Sequence, residues 1–303
     1  MSIDTPPPGD DDFFPGFAPL EIEAGEVAFR GRIGGDGPPV LLLHGYPQTH
    51  LAWRRIAPTL ARSHTVIVPD LPGYGASRIR QPSPRWCKRR VAGALLALMD
   101  ALGHPRFAVV GHDRGARAGY RLALDHPRRV SAYASLSVVP TLDAFAGVDR
   151  AFALNAWHWF FLAQPAGLPE RMLAADPDAF IDAALARMAG GLERVEPRAL
   201  AAYRAAFRDP EVRHAICEDY RAAVEEDLEH DAADRAAGRR LDCPVLVLWG
   251  EKERRADAPS PVETWSRWAA TVSGHGLPAG HLLPEDAPEP VLAALAALLG
   301  ESA

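Results

Sequence analysis

Asp113 stands at the centre of Gly111-His112-Asp113-Arg114-Gly115, between an apolar run at 107–110 and a helical pattern opened by small residues Ala116, Ala118 and Gly119. The layout is strand, sharp turn and helix, with a nucleophile carried on the turn in the spacing Gly-x-nucleophile-x-Gly. Glycines on both sides suit a strained central residue and a helix that passes close to its strand. A carboxylate in that place can form a covalent ester with its substrate. Read blandly, the same five residues are a helix start whose N-cap is an Asp. His281 adds the second chemical group, in a Gly280-His281 loop after the last predicted strand. An imidazole there can act as general base and turn water against an ester on Asp113. The backbone N–H groups of Tyr46, after His44-Gly45, and of Arg114, at the helix start, could form an oxyanion hole.

Such groups have to be presented from strand ends, and the chain supplies the strands. A hairpin is predicted over 21–33 with Gly25 near its turn. The fully apolar run 40–43 reads as a buried parallel strand that ends in His44-Gly45-Tyr46-Pro47. A helix over 53–62, a strand over 65–68, a helix over 91–102, the elbow and a strand over 130–139 follow. This alternation predicts an α/β fold with a mostly parallel central sheet, whose site lies at the carboxyl ends of the strands. From 141 to 232 the pattern breaks into helical runs, with aromatics gathered in Trp157-His158-Trp159-Phe160-Phe161, and is read as an inserted helical cap. The α/β pattern resumes with strands at 245–249 and 272–277 and helices at 261–270 and 290–299. The expected division is therefore a core in two parts, 1–140 and 233–303, around a cap at 141–232.

The 303 residues suffice for one large core, and 48% hydrophobic with 24% charged residues is the balance of a soluble globular chain. A net charge of −6 gives no pull toward nucleic acid or an anionic membrane. No apolar run approaches the ~18 residues of a membrane helix, and the Pro- and Asp-rich start lacks the marks of a signal peptide, so a cytoplasmic location is expected. Cys87, Cys217 and Cys243 are odd in number, far apart and outside metal-ligand spacing, which predicts reduced thiols and no metal. Of the 33 basic residues only Lys88 and Lys252 are lysine, so a single Arg is by default a solvated one.

The chain resembles the fluoroacetate (haloacetate) dehalogenases of the α/β-hydrolase fold. The likeness runs from Phe14-Pro15-Gly16-Phe17 to the terminal helix. It is carried by His44-Gly45-Tyr46-Pro47-Gln48-Thr49-His50, Asp70-Leu71-Pro72-Gly73-Tyr74-Gly75 and Gly111-His112-Asp113-Arg114-Gly115-Ala116-Arg117. Trp157-His158-Trp159, Leu162-Ala163-Gln164-Pro165 and Cys217-Glu218-Asp219-Tyr220-Arg221 carry it through the cap. The His-Gly-x-Pro motif alone is shared with epoxide hydrolases. The resemblance implies hydrolysis of a short 2-halocarboxylate to the 2-hydroxy acid, with Asp113 displacing halide and His281 directing water. It implies no cofactor, a small haloacid as the partner, and a homodimer as the assembly common among relatives. Arg114 and Arg117, i,i+3 beside the nucleophile, would clamp the carboxylate through their guanidinium forks. His158, Trp159 and Tyr220 match the family's halide donors and offer imidazole, indole and phenol hydrogens.

One departure bears on mechanism. The family's His-orienting Asp, after the elbow helix and strand, is here Ser137, whose hydroxyl can hold an imidazole tautomer but brings no charge. Other α/β hydrolases place that acid after the strand at 245–249, where Glu253 lies, although Glu253 also reads as an exposed loop residue. Two rival readings stay open. An epoxide hydrolase would activate its leaving oxygen with two cap tyrosines, for which Tyr203 and Tyr220 are available, while the paired arginines argue against it. A catalytically weakened small-acid-binding protein would follow from Ser137.

Overall fold

The computed structural model describes residues 10–252, 254 and 258–300, so Glu253 lies outside the described residues. The described strands are Ala18–Ala24 (β1), Val27–Gly34 (β2), Pro39–Leu43 (β3), Thr65–Pro69 (β4), Arg78–Ile79 (β5), Phe107–His112 (β6), Val130–Leu136 (β7), Val245–Gly250 (β8) and Val272–Leu277 (β9). They form one sheet in the order β1-β2-β4-β3-β6-β7-β8-β9, with β5 added to β2. The β1–β2 hairpin and the β2–β4 pair are antiparallel, and every pairing from β4 to β9 is parallel. β6 is buried along its whole length, as an apolar strand covered on both faces must be. The helices Lys88–Ala101 and Arg114–Asp125 pack together on one another, and Pro288–Leu299 packs on β7 and β8. This is the mostly parallel α/β sheet expected from the alternation of strands and helices, in the α/β-hydrolase architecture that the resemblance implies.

Between β7 and β8 every described element is helical, from Thr141–Ala146 to Glu226–Ala236. Several of these helices have readable starts. Asp176-Pro177, Glu196-Pro197 and Asp209-Pro210 each place an acid that accepts a first-turn N–H beside a proline whose missing N–H costs nothing there. Elsewhere the boundaries moved. The helix expected over 53–62 is a 3₁₀ turn, His50–Trp53, followed by Ala57–Leu60, because Pro58 suits only the first turn of a helix. The strand expected to reach Val139 stops at Leu136, since Ser137 takes a positive φ of 66° and turns the chain away from the sheet. The helix after β8 ends at Trp265, whose indole N–H is tied to the carbonyl of Val138 at 3.1 Å. Among the described residues no helix is long and apolar enough to cross a membrane.

Candidate active site

β6 delivers Asp113 at its carboxyl end, and the helix Arg114–Asp125 leaves immediately after it. Asp113 adopts φ 48° and ψ −118°, a conformation that an L-residue holds only under constraint. Gly115 supplies part of that constraint, because a Cβ at this position would run into the backbone carbonyls of Leu43 and His44. The helix can therefore seat against the end of β3, which also carries the Tyr46 loop. The amide of Asp113 donates to Leu136 O at 3.2 Å, and the amide of Tyr46 donates to Asp113 Oδ1 at 2.9 Å. The second expected amide, that of Arg114, sits at the first position of the helix.

The Tyr46 loop is fixed by Asp70. This buried carboxylate accepts the His50 amide at 2.7 Å, the His50 ring at 2.9 Å and the Ala76 amide at 2.8 Å. His44 Nε2 accepts the Leu71 amide at 3.0 Å, which leaves Nδ1–H to donate to Gly45 O at 3.0 Å. Burial lowers the pKa of His44, in keeping with this neutral tautomer.

His281 Nε2 lies 3.6 Å from Asp113 Oδ2. Burial alone would raise the Asp113 carboxyl, but the hydrogen bond and charge of His281, then the charges of His112 and Arg114, hold it far below the usual carboxylate range. The main chain of His281 is pinned at three points. Its N–H donates to Met188 O at 3.3 Å, and its carbonyl accepts from His112 Nε2 and from Ser137 Oγ, each at 2.8 Å. The Ser137 hydroxyl is thus directed to the backbone of His281 and not to its ring.

The two arginines stand buried in the first turn of the elbow helix. Arg114 spends most of its fork inside the protein. Its Nε and Nη2 grip Asp219 at 2.8 and 2.7 Å, Nη2 also reaches the Asp219 carbonyl at 2.8 Å, and Nη1 is buried without a hydrogen-bond partner. Arg117 gives Nη1 to Thr141 Oγ1 at 2.9 Å and Val139 O at 3.3 Å, while its buried Nε has no partner. Aromatic faces cover both cations: Tyr220 lies 4.5 Å from the Arg114 guanidinium and Trp159 lies 4.9 Å from that of Arg117. His158 stacks on Tyr46 at 5.5 Å and meets Tyr220 edge-on at 5.8 Å. Burial, then the charge of Arg187, brings the His158 pKa down to about 3, so its ring is neutral. Burial and then the Asp113 charge raise Tyr220 well above its ordinary value and keep its hydroxyl protonated.

The structure therefore gathers Asp113, His281, Tyr46, Arg114, Arg117, His158, Trp159 and Tyr220 in one place. It leaves Tyr203 out. The Tyr203 hydroxyl donates to Glu285 at 2.7 Å, in a buried cluster where Arg54 holds the same carboxylate at 2.9 Å. Asp219, the partner of Arg114, is the member of this cluster that sequence reasoning missed. It lay inside a quoted motif without a role, and no spacing links it to a partner 105 positions away. Asp70 carried a readable signal, an acid two residues past a predicted strand.

A family profile described as alpha/beta hydrolase fold matches residues 38–288. Over 280 residues the chain is 40% identical to a fluoroacetate dehalogenase from a Burkholderia species, covering 91% of each protein. It is 29% identical over 265 residues to a soluble epoxide hydrolase from Corynebacterium, covering 85% of this chain and 88% of the other. A solved structure from Pseudomonas aeruginosa, provisionally named an epoxide hydrolase, superposes with a TM-score of 0.92 at 55% identity over 94% of this chain and 96% of that one. Taken with the aspartate elbow and the strand order, these matches mean that the chain belongs to the α/β-hydrolase fold family, as a hydrolase of the haloacetate dehalogenase type.

Proposed function

We propose that the chain hydrolyses the carbon–halogen bond of a short 2-halocarboxylate and releases the 2-hydroxy acid, through an ester on Asp113. One observation carries this reading: Arg114 Nη1 and Arg117 Nε are buried beside the nucleophile with no acceptor. Buried charged donors left unmatched are costly, and a substrate carboxylate would supply the missing acceptors. In the first step an Asp113 carboxylate oxygen attacks the α-carbon from the side opposite the halogen. The halide leaves with the bonding pair toward His158, Trp159 and Tyr220, which act as neutral donors. In the second step His281 takes a proton from water, and the hydroxide adds to the Asp113 carbonyl carbon. The Tyr46 amide, already on Oδ1, stabilises the oxyanion. The C–O bond to the substrate then breaks, His281 returns the proton to the departing alkoxide, and Asp113 keeps an oxygen from water. The helical segment 141–232 serves as the cap that holds the halide donors over the elbow.

An epoxide hydrolase is the second reading, favoured by the buried Tyr46 hydroxyl, which has no hydrogen-bond partner and whose ring lies 5.5 Å from that of Tyr220. Two phenols so placed could protonate an epoxide oxygen. Against it, Tyr203 is committed to Glu285, and the arginine pair has no use with an uncharged epoxide. Halide release from 2-haloacids, measured beside diol formation from a panel of epoxides, separates the two. Halide without diol is expected. Diol without halide would favour the second reading.

A further inference from the structure

Away from the elbow, three metal-ligating side chains converge where the helix Lys88–Ala101 begins. Ligand atoms of Cys87, Asp227 and His230 all lie within 4.8 Å of one another. Cys87 occupies the N-cap position but makes no side-chain capping bond, so its thiol is not spent on the helix. Asp227 and His230 are i,i+3 on the helix Glu226–Ala236 and share a face. Asp227 Oδ1 accepts the Lys88 amide at 2.7 Å, whereas Asp227 Oδ2 and His230 Nδ1 are both buried with no hydrogen-bond partner. A buried acceptor pair of this kind calls for a ligand.

We propose that Cys87, Asp227 and His230 bind a thiophilic divalent cation of the zinc class, with a fourth position left to water. Thiolate, imidazole and carboxylate form a zinc donor set. Bonds of about 2.0–2.3 Å separate tetrahedral ligands by roughly 3.3–3.8 Å, so the side chains close on the ion by about 1 Å. The Lys88 amide orients the carboxylate from behind, as outer-shell donors do. Neighbouring cations are already matched: the Lys88 ammonium with Asp219, Arg89 with Asp125, and Arg121 with Asp125 and Asp234. Burial pushes the Asp227 carboxyl up to about 6, a cost that a bound dication reverses. Binding releases the thiol proton and pins the start of one core helix to the helix that leads out of the cap. Cys87 is too far from Asp227 and His230 in sequence for any spacing rule to join it to that pair.

The test titrates the metal-free chain with zinc chloride and cobalt(II) chloride, wild type beside Cys87→Ser and His230→Gln. Wild type should bind one equivalent of zinc, and each variant should bind it at least ~10–100-fold more weakly. Cobalt should give a thiolate charge-transfer band that Cys87→Ser loses. Alkylation gives a readout that needs no variant. Cys217 and Cys243 are buried with thiols pushed up to about 12 and about 11, so Cys87 is the thiol expected to react, and zinc should slow its alkylation by about tenfold or more. Wild type that binds no zinc, or zinc binding unchanged in both variants with Cys87 unprotected, overturns the site.

Discussion

Arg114 and Arg117 differ in what they already hold, so equal substitutions should have unequal effects. Arg117→Lys removes the unpartnered Nε, and the hydrogen bonds of Arg117 within the protein go only to Thr141 and Val139 among the described residues. It should raise KM for haloacids by about tenfold, the worth of roughly one charged hydrogen bond, with little change in Tm. Arg114→Lys also breaks the bidentate grip on buried Asp219. Breaking a buried pair costs about 3–5 kcal/mol when one partner is lost outright, so this variant should lose stability as well as affinity. Kinetics and thermal melts on both check it, and unchanged KM in Arg117→Lys would remove the clamp. Ser137 makes a separate claim. Its hydroxyl serves the His281 carbonyl and brings no charge to the ring, which should slow ester hydrolysis more than halide displacement. Replacing the acid of a serine-protease triad costs about 10⁴ in turnover, so even part of that makes hydrolysis rate-limiting. Unless Glu253 supplies that charge, a burst of halide near one equivalent per site is expected. Ser137→Asp, tolerated by a positive φ of 66° that Asp adopts more readily than most residues, should shrink the burst and raise turnover. If wild type shows no burst, Glu253→Gln locates the acid by a collapse in turnover, and no effect there contradicts this account of His281.

At the scale of elements, two helices face the elbow with different cargo. Trp157–Leu162 carries His158 and Trp159, and Pro210–Val224 carries Tyr220 together with Asp219, the anchor of Arg114. Tyr220, one of the proposed halide donors, and Asp219, which anchors the proposed clamp, therefore share a support, and tilting Pro210–Val224 would move both. Fluoride concentrates charge more than bromide and gains more from fixed donors. Removing one donor, as in Tyr220→Phe, should slow defluorination on the order of 10²-fold and debromination less, read as single-turnover halide release. Equal slowing of both halides would make these side chains walls of the pocket. Much of this arrangement was legible beforehand. The apolar runs gave the parallel strands, and Gly111-His112-Asp113-Arg114-Gly115 gave the elbow, because strand burial and a strained turn leave local marks in residue type. The Asp219 anchor, the diversion of Tyr203 to Glu285 and the turn of Ser137 toward a backbone carbonyl left none, since each depends on how distant elements pack.

For the whole molecule, the buried carboxylates set the response to acid. Asp70, Asp113 and Asp219 all have their carboxyls lowered, against the pull of burial, by His50, His281 and Arg114 respectively. A lowered folded pKa means that the unfolded chain binds protons first, so stability rises with pH across that window. Their contribution is present above the unfolded carboxylate value of about 4 and drains away below it. Thermal melts should show Tm falling steeply below about pH 4, and Asp219→Asn should be less stable at neutral pH with a shallower acid slope. An equal slope in that variant would show that Asp219 ionisation carries none of the effect. Asp227 runs the other way, its carboxyl raised to about 6, so its share of stability declines as pH rises from about 4 to 6.

The central claim is that the substrate is held as an ester on Asp113 before water reaches it. A single turnover of fluoroacetate in heavy-oxygen water, followed by digestion and mass spectrometry of the peptide that carries Asp113, tests it most directly. The account predicts the heavy oxygen on the Asp113 carboxylate and ordinary oxygen in the hydroxy acid released in that turnover. Heavy oxygen in the product with Asp113 unlabelled would mean that water attacks the carbon directly and would contradict the account.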